Sequence, residues 1–367
     1  MNFNGQKTLN YQGNLEWFQD SIIFLSLSGS HAYGTNIEGS DIDIKGICVP
    51  PLKFFTGFLQ TFEQTQLKDP YDAAVFSVRK FCSLAADNNP NILELLFLEP
   101  DSIIFKDPVM DLLIDNRDLF LSKKCRFTYS GYAHSQLKRI KTHRRYLLNP
   151  IEKQPTREDF GLPPRTLIPK DQLAAANSAV EKLYSKWTSP DALTDKLDEA
   201  QKMELKEDLE NLLASKDITE KDIKNAAGLA LGFDTNFLAF LEQERRYATA
   251  KAEWASYQTW KEERNPIRAA MEAEFGLDLK HAMHLMRLLL TCEEILQGKG
   301  LIVKRPDAEW LKSIRAGAMN YDEIIAWADA KMVTIEGLYE TSPLRKAPDR
   351  VKIDELCREI IESKAKR

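Results

Sequence analysis

The sequence predicts an α+β protein, with an N-terminal mixed-sheet domain followed by a mostly α-helical C-terminal region. Three observations predict it. Short β-branched or alternating apolar runs are confined to the first 110 residues. From about Asp111 onward the apolar spacing becomes helical. Strands that give way to helices, without regular alternation to the end of the chain, describe a sheet domain with a separate helical region.

The elements follow in order. Ser21 to Ser28 (Ser-Ile-Ile-Phe-Leu-Ser-Leu-Ser) is short, apolar and β-branched at its start, and it stops at Gly29 as a buried strand does. Asp41 to Val49 alternates with period two and ends at Pro50-Pro51. Asp72 to Phe76 is a third strand. Arg79 to Ala86 begins a helix with Phe81, Leu84 and Ala85 on one side, and Ile92 to Leu98 is a second short helix after Pro90. Segment 123–145 carries eight Lys and Arg residues and no acid, with Phe127, Tyr129 and Tyr132 interleaved. Five prolines between 150 and 170 mark a linker. Residues 171–262, rich in Ala, Leu, Lys and Glu, read as a helical insertion solvated on one face. Residues 278–297 form an amphipathic helix, Tyr321 to Tyr339 another, and a last helix ends the chain. The expected organisation is 1–110 as the sheet domain, 111–150 as a basic helical segment, 151–265 as an insertion with its linker, and 266–367 as a C-terminal helical domain.

Composition narrows the function classes. The chain has 367 residues, enough for two domains or two plus an insertion. A net charge of −5 does not describe a general nucleic-acid coat, although it leaves room for a local basic patch. No apolar run reaches the roughly 18 residues of a membrane span. The opening residues lack the pattern of a signal peptide. The five cysteines are far apart and form no Cys-x-x-Cys, so neither a disulfide framework nor a zinc motif is expected. A reducing cytoplasm is the expected location, with no membrane partner.

The chemistry concentrates in Ser28-Gly29-Ser30-His31 and Ser40-Asp41-Ile42-Asp43-Ile44. Two residues apart on a strand, Asp41 and Asp43 point to one face, with Cα atoms roughly 7 Å apart. Adjacent carboxylates resist ionisation unless a cation neutralises them. Mg²⁺ or Mn²⁺ suits carboxylate oxygens plus substrate phosphates, and two such ions clamp an in-line phosphoryl displacement. The Gly29-Ser30 turn lets backbone approach a phosphate, with N–H groups and the serine hydroxyl to hold it. An acidic pair alone is also a common surface feature. An apolar strand, Gly-Ser, ten intervening residues and an alternating acidic strand are far more specific together.

On these residues the sequence resembles the nucleotidyltransferases of the DNA-polymerase-β superfamily. Ser28-Gly29-Ser30 and Asp41-Ile42-Asp43-Ile44 match their signature, with Ser28 in place of the usual apolar residue. The resemblance extends to bacterial and phage nucleotidyltransferases associated with RNA repair. It is carried by Gly29 to Gly34, Ser40 to Gly46, Asn89 to Leu96, Ser130-Gly131-Tyr132-Ala133 with Gln136, Lys280 to Leu285 with Arg287, and the tail around Ser342-Pro343-Leu344 and Pro348-Asp349-Arg350. Residues 150–262 match nothing in it. The resemblance implies a polymerase-β-like domain and a third metal-facing carboxylate on a later strand. Asp72 is the candidate, with Glu63 and Asp69 as competitors. It also implies an NTP as substrate, two divalent ions and a hydroxyl acceptor.

Other residues are weighed beside it. His31 and Tyr33 follow the phosphate turn, and His31 is the better substrate contact. Lys280, His281, His284 and Arg287 can share one helix face. His281 and His284 could bind a metal but have no evident third ligand, so a face contacting phosphate or base, through Lys280, His284 and Arg287, fits better. Lys123, Lys124 or Lys138 could hold a triphosphate. Arg126, Tyr132, Lys138, Arg139, Lys141, Arg144 and Arg145 could track a nucleic-acid backbone and stack on bases; the bland alternative is a solvated helix face. Glu94, in an apolar context, suits a brace more than a catalyst.

The favoured expectation is metal-dependent transfer of NMP from NTP to a hydroxyl, with an RNA 3′ end as acceptor and pyrophosphate as product. Nucleotidylation of a protein or small molecule, and a non-catalytic RNA-binding or toxin-neutralising module on the same fold, are the alternatives. A glycosyltransferase Asp-x-Asp leaves Gly29-Ser30 unexplained. A haloacid-dehalogenase-type phosphatase needs Thr where Lys45 stands. The oligomeric state is not legible.

Overall fold

The structure, a computed structural model, describes residues 9, 11–68, 71–166, 168–188, 219–264 and 266–365. They divide into two compact units. One comprises the described residues up to Leu148 and from 266 onward; the other runs from Asn149 to Arg264.

The first unit is built on a five-stranded mixed sheet, β1 (Ile22–Ser28), β2 (Asp43–Cys48), β3 (Gln64–Leu67), β4 (Asp72–Ser77) and β5 (Ile103–Lys106), in the order β3-β4-β2-β1-β5. The mixed-sheet expectation holds. β2 and β4 run parallel and the other neighbours antiparallel. β1 is almost wholly buried, which is why it is a near-continuous apolar run. Its neighbours cover its edges, and apolar clusters cover both faces. Ile44, Ala73 and Val75 face Phe18, Phe54 and Phe62, whereas Ile47 and Phe76 join the main core.

Two strands escaped the sequence. β3 is Gln-Thr-Gln-Leu at the sheet edge, too polar to display a buried face. β5 has four residues, short for a periodicity signal. The strand expected over Asp41 to Val49 begins at Asp43, and Asp41 lies in the loop before it.

Among the helices of this unit, those that shape the site from its N-terminal part are α1 (Gly29–Tyr33), α2 (Val78–Ala86), α3 (Pro90–Leu93) and α4 (Cys125–Leu148). Ser77 caps α2 by accepting from Lys80 N at 3.3 Å. Asn89 caps α3, which has Pro90 in its first turn, where a missing N–H costs nothing, and runs into a 3₁₀ turn over Glu94–Leu96. In the second unit, α5 (Lys170–Thr188), α6 (Glu220–Ala230) and α7 (Thr235–Glu263) are helical as expected. They gather Leu173, Ala176, Leu238 and Leu241 into a small core, and Arg157 pairs with Glu244. Residues 189–218 of the expected insertion lie outside the described residues.

The chain then returns to the first unit as α8 (Pro266–Phe275), α9 (Leu279–Leu296), α10 (Ala308–Arg315), α11 (Tyr321–Thr341) and α12 (Arg350–Ala365). α9 packs along α4. Ala282, Met283, Leu285, Met286 and Leu289 face a core that includes Tyr129, Ala133, Leu137 and Ile140, all buried. Each such leucine or methionine stabilises by roughly 1.5–3 kcal/mol. The basic helix and the C-terminal helices therefore share one core with the sheet.

Arg305 joins this framework between α9 and α10. Its side chain is 1% exposed and is clamped by Glu294 at 2.5 and 2.8 Å and by Asp307 at 2.9 and 3.0 Å. Its backbone N–H donates to Tyr33 O, tying α1 to this segment. Removing one partner of a buried pair strands the other charge. Arg305→Ala is expected to lower unfolding stability by about 3–5 kcal/mol, read as a shift of the urea midpoint at constant slope.

Candidate active site

The register of the sheet brings the acids together. Ser28 lies opposite Asp43, and Asp43 is the parallel neighbour of Asp72. Strand spacing puts the Cα atoms of Asp43 and Asp72 about 4.8 Å apart. Asp41 follows within two residues, so three carboxylates gather at one rim of the sheet. Gly29 is shaped to this group. Its φ is +62°, and a Cβ there would stand 2.6 Å from Asp43 Oδ2. Only glycine combines that backbone with that contact.

Two clefts meet at this rim. The first, about 740 Å³, is lined by Asp43, Asp72, Tyr33, Lys45, Tyr132, Arg139, Lys280, His281, His284 and Arg287 among others. The second, about 430 Å³, holds Ser30, Asp41, Asp43, Lys280, His284, Lys312 and Arg315. Gly29, Asp43, Lys280 and His284 line both.

Helical geometry selects the wall residues. Tyr132, Gln136, Arg139 and His143 recur at four-, three- and four-residue steps along α4, and the first three reach the first cleft. Lys280, His284, Arg287 and Leu288 do the same on α9. Beneath them, Glu94 accepts from Tyr33 Oη at 2.8 Å and from Lys45 Nζ at 3.1 Å, and Lys45 also donates to Asn91 O at 2.6 Å. Glu94 is a brace, as its context suggests. The Arg287 guanidinium stacks 3.8 Å over the Tyr33 ring. It is 7% exposed, and its Nε finds no hydrogen-bond partner among the described residues. A buried cation facing a cleft in this way is suited to an anionic ligand.

Several expected site residues lie elsewhere. His31 lines neither cleft; its Nε2 stands 3.5 Å from Ser40 O, bracing the loop before Asp41. Tyr33 reaches the first cleft instead, because Gly29 and Tyr33 are four apart on α1 and share a face, while His31 does not. Lys123 and Lys124 are not brought to either cleft. Lys124 pairs with Asp87 at 2.6 Å, and Lys123 donates to Glu340 O at 3.2 Å. Arg126 is likewise engaged by Glu336 and stacks on Phe127. Arg144 donates to Gly276 O at 3.0 Å and stacks on Tyr321, a structural posting. Lys138, Lys141 and Arg145 are exposed on α4, outside both clefts. Of the competitors for the third carboxylate, Glu63 pairs with Lys80 at 2.8 Å, away from the rim, and Asp69 lies outside the described residues.

Lys45, Gln136, Lys312 and Arg315 were not singled out as site residues by the sequence. Lys45 had a signal: it follows Asp43 at strand period and must share its face. Lys312 and Arg315 had none, since only packing brings α10 to the rim.

The donor set fits divalent cations. Partial burial first, then the neighbouring charges of Asp72 and Asp41, push the Asp43 carboxyl above its ordinary value against the pull of Lys280 and Lys45. Two of the three largest upward causes are carboxylates, so a bound cation would relieve them. On the opposite wall, burial, then Arg287, Lys280, His281 and Arg315, lower the His284 imidazole to about 3. It is neutral at pH 7 and acts there only as a hydrogen-bonding group. A histidine near 6.5 when unfolded and about 3 when folded binds its proton more readily in the unfolded chain. Stability is therefore expected to fall as pH drops from about 6.5 toward 3. His284→Gln should reduce that fall by a few kcal/mol, measured by denaturant unfolding at pH 7 and pH 4.5.

Comparison with known proteins agrees with this geometry. Residues 7–150 match the family model RlaP, described as the RNA repair pathway DNA polymerase beta family. The chain is also similar to an uncharacterized 38.9 kDa protein from the nrdC-mobD intergenic region of Enterobacteria phage T4, 31% identical over 122 residues. That match covers 30% of this chain and 36% of the phage protein. No solved structure matches the chain. The mixed sheet, the Gly29-Ser30 turn and the acidic rim thus all lie within residues 7–150, the part of the chain that is similar to the RNA repair pathway DNA polymerase beta family.

Proposed function

We propose that the protein is a metal-dependent nucleotidyltransferase that moves NMP from an NTP to a hydroxyl on RNA, with release of pyrophosphate. The observation that carries this reading is the rim itself: Asp43 and Asp72 paired by sheet register, with Asp41 in the loop just before β2, opposite Lys280 and Arg287.

The two clefts divide the substrates. Ser30 and Asp41 line only the second, with Lys312 and Arg315 supplying positive charge, which suits the triphosphate. Asp72 lines only the first, with Tyr132, Arg139 and Arg287, which suits the acceptor end. Arg287 thereby moves from the nucleotide to the acceptor side. Asp43 stands between them, where both substrates meet. Asp41 and Asp43 would hold two Mg²⁺ or Mn²⁺ ions, with Asp72 completing one of the two sites. When bound, such ions neutralise charge developing on the transferring phosphoryl group. The protein's own contribution is positioning and electrostatics. Asp72 orients the acceptor hydroxyl and draws off its proton as the new O–P bond forms. The bond from the α-phosphorus to the bridging oxygen breaks, and pyrophosphate leaves. Gly29 keeps Asp43 in place, and the Glu94 brace holds Lys45 and Tyr33 as the floor.

The test is transfer of label from each α-³²P NTP, with Mg²⁺ or Mn²⁺, to a small-RNA pool and to the protein itself. Wild type is expected to label RNA, and Asp41→Ala/Asp43→Ala to lose at least about 10³-fold in rate, as a loss of several kcal/mol of barrier stabilisation requires. Label on protein alone would redirect the acceptor. No label from any NTP, with RNA still bound by both proteins, would overturn the reading in favour of a non-catalytic module.

The exposed row of Lys138, Lys141 and Arg145 on α4 supports RNA as the acceptor. Replacing all three by Ala is expected to weaken single-stranded RNA binding without regard to sequence. It should also flatten the plot of log K against log salt by about 2, at roughly 0.7 per lost phosphate contact. An unchanged slope would assign those residues to a solvated face.

A further inference from the structure

Beside the acidic rim, on the walls of the same two clefts, lies a second polar cluster to which the transfer reaction gives no role. His143 comes from α4, Glu272 from α8, and Asp278 and His281 from the cap and first turn of α9. Asp278 Oδ2 stands 3.5 Å from His281 Nε2 and 3.9 Å from His143 Nδ1, and Glu272 Oε1 is also 3.9 Å from His143 Nδ1. One ligand atom from each of His143, Asp278 and His281 lies within 4.8 Å of the others. The two carboxylate side chains are 5% exposed, and the two imidazoles are 20% and 15% exposed.

We propose that His143, Asp278, His281 and Glu272 form a binding site for a divalent transition metal ion, zinc by ligand preference, separate from the Mg²⁺-type carboxylate rim. Four features of the arrangement carry this. Two imidazoles and two carboxylates are a four-ligand set of the kind zinc takes tetrahedrally. With bonds of about 2.0–2.1 Å, tetrahedral donors sit about 3.3 Å apart; the 3.5 and 3.9 Å spacings from Asp278 Oδ2 to the two imidazoles are close to that, and Glu272 would draw in from His143 to complete the set. The tautomer of His281 is set from outside: its Nδ1 lies 2.7 Å from Gln136 Oε1, which takes the ring N–H and leaves the Nε2 lone pair toward Asp278. An outer hydrogen bond of this kind is the usual support of a metal-bound histidine. Finally, Asp278 divides its oxygens. Oδ1 accepts His281 N at 3.0 Å and caps α9, while Oδ2 faces the two imidazoles.

Charge points the same way. Asp278 and Glu272 bring two largely buried carboxylates against the two imidazoles, and two carboxylates in one buried place favour a cation between them. The sequence hid the site because its ligands are scattered. His281 and His284 suggested a pair, but His284 faces the clefts, and the partners of His281 come from Asp278 three residues before it and from α4 and α8. The ligands also have a place in the chain. His143 lies just before the chain leaves for the 149–264 unit, and Glu272 just after it returns. The ion would cross-link the outgoing and returning helices to α9, which carries Lys280, His284 and Arg287.

The full chain, stripped with chelator, reloaded with Zn²⁺ or Co²⁺ and dialysed against excess Mg²⁺, tests this by metal content. About one zinc per chain is expected in wild type and in Asp41→Ala/Asp43→Ala. His143→Gln and His281→Gln, checked for folding by circular dichroism, are expected to lose it. Gln136→Ala should keep the site with about 10–100-fold weaker affinity. The Co²⁺ form of wild type should show the strong visible bands of tetrahedral coordination, a readout that needs no variant. No retained zinc in wild type, or retention undiminished in His143→Gln, would overturn the proposal and make the cluster a hydrogen-bonded helix clamp. Loss of the zinc in Asp41→Ala/Asp43→Ala would overturn it too, by assigning the ion to the rim. Because metal content is read without NTP or RNA, failure here and failure of the transfer reaction are distinguishable.

Discussion

The arrangement turns on the electrostatic cost of placing Asp41, Asp43 and Asp72 at one rim. Parallel pairing of β2 and β4 makes Asp43 and Asp72 direct neighbours, and nothing in the backbone can separate them. Like charges this close are unfavourable without a compensating cation. Much of the surrounding structure answers that cost. Gly29 gives up its Cβ so that Asp43 Oδ2 can sit against the backbone, and Lys45 and Lys280 pull the Asp43 carboxyl back toward its ionised form. The site is thus poised for positive charge, from ions on one side and from α9 and α10 on the other.

The second element of the design is the pairing of α4 and α9. Both helices are mostly apolar where they touch, and that packing lets each carry a narrow polar stripe into the clefts. Arg287 shows how tightly the two roles are joined. It sits among Met286, Leu288 and Leu289 on a buried stretch, yet its guanidinium lies over Tyr33 at the cleft. The same helix pair gathers His143, Asp278 and His281. Cleft wall and polar cluster therefore share one scaffold, and a change in the helix contact would be felt by both.

Much of this was legible. Period-two alternation located β2, an apolar run located β1, and helical spacing located α4, α9 and α11, because burial imposes those periods directly on the residue types. The acidic pair and the Gly-Ser turn were legible because few residue types can do their chemistry. Less was legible where several residues of one type compete. The basic run in 123–145 read as one patch, but its members divide among Asp87, Glu336, Gly276 O, the first cleft and solvent. A helix turns about 100° per residue, so adjacent cations serve different surroundings. Strands β3 and β5 were invisible because an edge position and a length of four leave little apolar pattern.

The sequence by itself determined the fold class, the strand that carries Asp43, the turn at Gly29-Ser30 and the helical character of the remainder. Each of these depends on neighbours within a few residues, and local sterics and burial period encode them. Tertiary structure alone decided that Tyr33 rather than His31 lines the cleft, that Lys123 and Lys124 are spent on distant pairs, and that Lys312 and Arg315 join the rim. It alone brought His143 and Glu272, 129 residues apart in number, to Asp278 and His281. Those outcomes depend on how separately formed helices pack, and the energy of that packing is spread over many apolar contacts that no single motif records.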